Sequence, residues 1–515
     1  MTGTNSTGQV NAGCGVRNKM SELSLESSKE EFRRIRLGRT DSCLLTTVFV
    51  FVFAILLVWP SLSHTQEKDL LKHPSNLSFK PIQFSPPEPV RYELKNGMVI
   101  YLLEDHEVPV VNITARIRSG SIYEPKEKAG LAELTGIVMR TGGTQSMGGA
   151  AIDEELEFMA ASVSVSIGSQ SGGASLTVLT KDVDRGLRIY SDIIMHPVFE
   201  QEKFDLAKKA KLEELRREND DPQELSFREF KKIIYRGNPR GNFPTPASVQ
   251  KITREDLAAF HRHYFYPDRI IIGVSGDFSS QEMLDKLERV LGNWGRAKET
   301  LPSIPPPSSQ AGSVNLVSKD LPQSVIILGH LTVPKNHPDY YPFSLLNFIL
   351  GGGGFNSRLT MEIRSNRGLA YSVGSFYRGD IDYGVFGAYC FTKPSSTRLS
   401  HDLILKTMKE IRDAGITEGE LKWAKDSILN NFIFSFTSSH QIVVETIDLE
   451  YNRLPADFLK TYQGKISQVT RADVERAAKS YLHPEDAILL VVGNESAFDK
   501  PLTDLGKVNR IELPK

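Results

Sequence analysis

Cysteine is nearly absent from this 515-residue chain: Cys14, Cys43 and Cys390 are all it has, and the first two precede or open an apolar N-terminal run. This excludes a disulfide framework and a cysteine-held metal. One-sided charge is also missing. The 62 basic residues meet 63 acidic ones, for a formal net charge of −1, so bulk electrostatics address neither nucleic acid nor a membrane surface. Metal-binding histidine pairs are missing as well. Neither His-x-x-Glu-His nor His-Glu-x-x-His occurs, and these are the spacings that put two imidazoles on one helical face. His261 and His263 are the one close pair, and at i, i+2 they leave a helix on different faces. What the chain does have is 40% hydrophobic and 24% charged residues, enough to bury a large core.

The N-terminal run reads CLLTTVFVFVFAILLVW from Cys43 to Trp59. Arg33, Arg34, Arg36 and Arg39 precede it, and Pro60 and Ser61-Leu62-Ser63 follow. Basic, apolar and small residues in that order make a secretory signal. The run is also just long enough to span a bilayer at ~1.5 Å per residue, so a cleaved signal and an uncleaved inner-membrane anchor both fit. Either way the body lies outside the cytoplasm, because the basic flank stays inside; the predicted location is periplasmic. Met20 is an alternative start.

The predicted organisation is a polar and basic region 1–42, a signal or anchor 43–63, a proline-rich linker 64–88, a first domain 89–300, a second linker 301–309 (LPSIPPPSS) and a second domain 310–515. Val99–Leu103 and Val110–Ile117 read as strands flanking a turn. Lys128–Arg140 and Ala151–Ala160 read as helices, Ala161–Ile167 and Ala174–Leu179 as a hairpin, and Val183–Ile194 and Gln201–Asn219 as helices. Strands and helices mix without strict alternation, which predicts an α+β fold. The two domains share a repeat. Thr253-Arg254, Tyr264, Pro267 and Gly276 recur as Thr470-Arg471, Tyr481, Pro484 and Gly493, all 217 residues further on.

Several ordered segments resemble the M16 peptidases, in particular the bacterial and mitochondrial-processing-like branch. They are LKNGMVIYLLEDHEVPVV (94–111), RSGSIYEP (118–125), GLAELTGIVMRTGGT (130–144) and LGGGGFNSRLTMEIRSNRGLAYSV (350–373). The resemblance implies two homologous α+β domains facing each other as a clamshell around a peptide-sized chamber. It also implies an inverted zinc motif, His-x-x-Glu-His, straight after Gly-Leu-Ala. Here those positions are Glu133, Gly136 and Ile137. Both histidines and the glutamate base are gone, and zinc in such sites needs three protein ligands. The family's third ligand, a later glutamate, falls at Glu213 or Glu214, with Glu213 taken as the remnant.

The resemblance further implies an arginine and a tyrosine, seven apart, reaching from the second domain to the substrate; Arg364 and Tyr371 match. A guanidinium and a phenol can hydrogen-bond a peptide backbone and a developing oxyanion. The run Gly351 to Gly354 is no phosphate loop, since no Gly-Lys-Ser/Thr follows; it is predicted as a flexible turn entering a helix over Phe355–Arg364, with Gly351, Gly352, Gly353 and Phe355 as candidate substrate contacts. An arginine–tyrosine pair without zinc ligands resembles one half of a two-subunit M16 enzyme, which implies a subunit that binds no cofactor alone and works with an M16 partner holding an intact His-x-x-Glu-His motif and the zinc, on peptides or unfolded segments. The alternative is an inactive M16-like scaffold or peptide-binding protein.

Overall fold

The computed structural model describes residues 86–310 and 312–513. The signal or anchor segment 43–63, the region before it and almost all of linker 64–88 lie outside the described residues. No helix among the described residues is long and apolar enough to cross a membrane.

The first half runs β1 (Val90–Glu93), β2 (Val99–Glu104), β3 (Val110–Ile117), α1 (Leu131–Thr141), α2 (Gly149–Phe158), β4 (Ser162–Ile167), β5 (Gly172–Leu179), α3 (Val183–Met195), α4 (Gln201–Arg217), α5 (Pro222–Ile234), α6 (Pro246–Gln250), α7 (Arg254–Tyr264), β6 (Ile270–Gly276) and α8 (Ser280–Leu291). The second half runs β7 (Val314–Ser318), β8 (Ser324–Thr332), α9 (Tyr340–Asn347), β9 (Ala370–Gly379), β10 (Gly384–Thr392), α10 (Thr397–Ala414), α11 (Glu418–Phe432), α12 (Ser439–Tyr451), α13 (Phe458–Gln468), α14 (Arg471–Tyr481), β11 (Ile488–Gly493) and β12 (Val508–Arg510). Each half builds one six-stranded sheet, in the orders β1-β2-β6-β3-β5-β4 and β12-β7-β11-β8-β10-β9.

The sequence neighbours β2 and β3 are not partners. β6 slides between them, parallel to β2 and antiparallel to β3. Its sequence IIIGVSG is buried along its whole length, and a strand covered on both faces belongs at a sheet centre. β3 and β4 alternate partly exposed or exposed residues with buried ones, as strands with one wetter face do. The first predicted helix begins at Leu131 rather than Lys128, because Lys126–Lys128 forms a separate single turn and Gly130 takes φ 103°, a conformation glycine adopts cheaply.

The repeat extends well beyond the segment legible in sequence. Helices α4, α5 and α7 begin at 201, 222 and 254; α11, α12 and α14 begin at 418, 439 and 471, each 217 further on. Thr253 and Thr470 open α7 and α14 with the same reciprocal cap, their N–H groups donating to Asp256 and Asp473 at 2.9 Å.

The halves are joined by an exchange of equivalent helices. α5 leaves the first half and buries Leu225, Phe230, Ile233 and Ile234 against the second sheet, on residues such as Ile327 and Leu490. α12 leaves the second half and buries Ile442, Val443 and Ile447 against Leu103 and Ile271 of the first. The approach of α12 is so close that a Cβ on Gly273 would stand 2.2 Å from Val443 Cγ1. Arg116 holds Asp448 with two donors, and Arg91 reaches Glu450 at 2.9 Å, so polar contacts flank the apolar seam.

Candidate functional site

Helix α1 carries the three positions where the zinc motif would stand. Its N-terminus is fixed by Glu124, whose carboxylate accepts the N–H groups of Gly130 at 2.9 Å and Ala132 at 2.8 Å. Burial lifts this carboxyl to about 7, against the pull of those two donors. One turn along, Glu133 meets Lys211 of α4. The ammonium donates to Glu133 at 2.8 Å and to Glu214 at 2.8 Å, and Lys211 itself is only 7% exposed. Burial lowers the proton affinity of the lysine, but the two carboxylates outweigh it and raise its pKa. Glu213, the expected remnant ligand, turns away to Arg216 at 2.5 Å. Helix geometry explains the difference: Glu214 is three residues from Lys211 and shares its face, whereas Glu213 is two away and does not. Gly136 backs onto β4, where a Cβ would sit 3.0 Å from the Ile167 nitrogen. Ile137 is 39% exposed and has nothing with which to coordinate.

These residues do not fit zinc. Two carboxylates remain, and a lysine already supplies the positive charge between them. Among the described residues no group of three His, Cys, Asp or Glu side chains is placed to hold a metal ion. His261 is buried, with Nε2 at 2.7 Å from the Ile194 carbonyl, and burial pushes its pKa down to about 4. His263 faces solvent. Cys390 is buried in the second core, its thiol pushed up to about 12.

The structure brings Arg364, Tyr371 and Phe355 together. The Arg364 guanidinium carbon lies 4.7 Å from the ring centroids of both Phe355 and Tyr371. Both rings are largely exposed, at 67% and 80%. Among the described residues the guanidinium edge has no hydrogen-bond or ion-pair partner, so its planar fork of N–H groups is free. Two irregularities produce this arrangement. Tyr371 sits in a bulge of edge strand β9: Ser372 pairs with Phe391 and Ala370 with Thr392, and Tyr371 is skipped. Bulges re-aim side chains in this way. Arg364 lies in a widened, π-type turn over Thr360–Ser365, where Asn366 N–H donates to Met361 C=O, five residues back, at 2.9 Å.

The predicted helix over Phe355–Arg364 is therefore broken. Gly354–Asn356 is a separate single turn, Ser357 is extended with ψ 152°, and helical winding starts at Arg358. Nor is the glycine run a flexible turn throughout. Gly351 is buried, with no room for a Cβ beside the Ser375 nitrogen at 2.4 Å, and Gly353 backs onto Trp423 and Phe348. Gly351 and Gly353 pack, and only Gly352, Gly354 and Phe355 of this stretch face solvent.

Between the halves lies a cavity of about 920 Å³. The first half contributes Glu124, Glu133 and the β4–β5 turn at Gly168–Gln170; α5 contributes Phe227 and Lys231; β9 and β10 contribute Ser372, Phe376, Arg378 and Tyr389. The altered metal helix and the strand bearing Tyr371 thus line one space. Sequence reading missed Lys211, Lys231 and Arg378. The i, i+3 spacing of Lys211 and Glu214 was the one available signal; the other two need the fold.

Residues 99–243 match the family described as insulinase (peptidase family M16), and residues 251–428 match the peptidase M16 inactive domain. The chain belongs to the M16 peptidase family. Similar sequences include a Rickettsia felis protein described as an uncharacterized zinc protease, 26% identical over 67% of this chain and 82% of that one. Another is the Helicobacter pylori non-peptidase homolog YmxG, 26% identical over 76% and 91%. The solved M16 inactive domain from Pseudomonas fluorescens superposes with a TM-score of 0.74 over 81% of this chain and all of that one, at 23% identity, a likeness of fold. This M16 chain has the two-sheet frame, with a lysine-centred cluster at the motif positions.

Proposed function

We propose that this chain is the zinc-free subunit of an exported, two-subunit M16 peptidase. It supplies the Arg364–Tyr371 edge and part of the peptide chamber, while a partner with an intact His-x-x-Glu-His motif supplies the metal. The observation that carries this reading is the free guanidinium edge of Arg364, stacked on two exposed rings, one of them Tyr371 in the bulge of an edge strand, in a chain whose own α1 lacks the zinc ligands. Arg364 and the Tyr371 phenol donate hydrogen bonds to the carbonyl oxygens of an extended peptide and hold it against the partner's site. Removing one such donor costs on the order of 100-fold in rate. Co-expression with a motif-bearing M16 subunit tests this. The expected result is a stable pair that cleaves unfolded peptide, neither chain doing so alone, with Arg364→Ala lowering kcat about 100-fold. Full activity of the Arg364→Ala and Tyr371→Phe pairs removes the pair from catalysis.

A second reading is a non-catalytic peptide-binding protein. The lysine-filled α1 cluster favours it, as does the description of the Helicobacter pylori relative as a non-peptidase homolog. Peptide binding by the purified chain, with no cleavage in any pairing, selects it.

A further inference from the structure

The cavity between the halves is lined by three carboxylates and three cations, but they are unevenly engaged. Its carboxylates are all engaged. Glu124 accepts two backbone N–H groups, Glu133 is paired with Lys211, and Asp380 accepts from Gln170 Nε2. Of its cations, Arg240 donates to Gln170 Oε1 at 3.2 Å, to Asn238 Oδ1 at 3.2 Å and to the Pro305 carbonyl at 3.1 Å. Lys231 and Arg378 remain. Both line the cavity, and among the described residues neither side chain has a hydrogen-bond or ion-pair partner.

The fold places these two side by side. Phe227 and Lys231 are four apart on α5 and share a helix face, while Phe376 and Arg378 are two apart on β9 and share a strand face. The rings of Phe227 and Phe376 are 5.8 Å apart, and Tyr389 closes the group at 6.1 Å from Phe227. An aromatic platform therefore ends in two unspent cations. Burial, and then the nearby Arg378 charge, lower the proton affinity of Lys231; an anion seated between the two relieves both effects.

We propose that this corner binds a carboxylate of an extended peptide, with a neighbouring apolar or aromatic side chain on Phe227, Phe376 and Tyr389. The chamber is thus selective for acidic segments. This rests on the reading of the cavity as a peptide chamber. Arg378 offers a planar fork matched to a carboxylate, and Lys231 adds a point charge.

The test is fluorescence anisotropy of short dye-labelled peptides with the full-length chain. Pairs differ only by Glu→Gln beside a phenylalanine, or only by amidation of the C-terminus. The acidic member is expected to bind about tenfold more tightly. Loss of that advantage on Glu→Gln assigns the carboxylate to a side chain, and loss on amidation assigns it to a chain end. The advantage should vanish in Lys231→Gln/Arg378→Gln and pass to a lysine-bearing peptide in Lys231→Glu/Arg378→Glu, a reversal that misfolding cannot produce. If acidic and neutral peptides bind alike, or if the preference survives in both variants, the anionic corner is overturned while the chamber stands. If no peptide binds, the chamber reading itself falls.

Discussion

Strand β4 closes the first sheet with six residues that alternate exposed and buried without interruption, whereas β9 closes the second with ten residues and a bulge at Tyr371. The helices beside them differ in the same way. α1 is a regular helix whose motif positions now bind a lysine, while the segment before β9 passes through two widened turns, Phe348–Gly352 and Thr360–Ser365. Two copies of one supersecondary plan differ so that regularity marks the half whose motif positions lack zinc ligands. Irregularity, which costs local stability, persists where side chains are aimed outward.

The largest expected effect concerns the helix exchange, where the halves solve the same packing problem with opposite volumes. The first sheet has Gly273 beneath Val443. The positions 217 residues away are Leu490 on the second sheet and Ser226 on α5, both fully buried. Bulk has moved from helix to sheet. Gly273→Leu, which copies the second solution into the first without its complement, should lose about 3 kcal/mol in urea unfolding. Gly273→Leu/Val443→Ser should recover part of that loss. Additive destabilisation would mean that the two sites do not share one contact.

A smaller effect is confined to α1. The Glu124 carboxyl titrates near 7 in the folded chain and near its ordinary value when unfolded. The folded state therefore keeps a proton that the unfolded state has already released by pH 6. Stability should fall as pH rises through 7, by about 1 kcal/mol between pH 6 and 8, and Glu124→Gln should flatten that slope. An unchanged slope in the variant would place the titration elsewhere.

The smallest effect on stability, and the sharpest on identity, concerns Lys211. Lys211→Met should cost less than about 1 kcal/mol, because Glu133 and Glu214 both remain well solvated. Metal analysis should then separate two grafts. Glu133→His/Ile137→His should stay zinc-free while Lys211 is present, and should take up zinc once Lys211→Ala is added. Stoichiometric zinc in the first graft would mean that the ammonium does not block the site.

Much of this was legible in the sequence. β3 was bounded to the residue, because Val110–Ile117 is rich in β-branched residues, and the Thr-Arg repeat gave the register linking the halves. The vacancy at Glu133, Gly136 and Ile137 needed only the residue types. Other features were invisible for physical reasons. The insertion of β6 between β2 and β3 depends on a strand more than 150 positions downstream. The bulge at Tyr371 arises from how β9 meets β10. Lys231 and Arg378 are ordinary surface-type residues until α5 crosses to the other half. Which of Glu213 and Glu214 meets Lys211 could not be read, because adjacent glutamates are told apart only by the phase of the helix.

The mutual trade of α5 and α12 constrains how anything reaches the interior. Swinging the two halves apart would peel a greasy helix from each sheet at once, so wide gaping like a bivalve shell is costly. Only something slender could then enter the space between the sheets with both helices still in place, so the swap sets a width limit before any side chain is met.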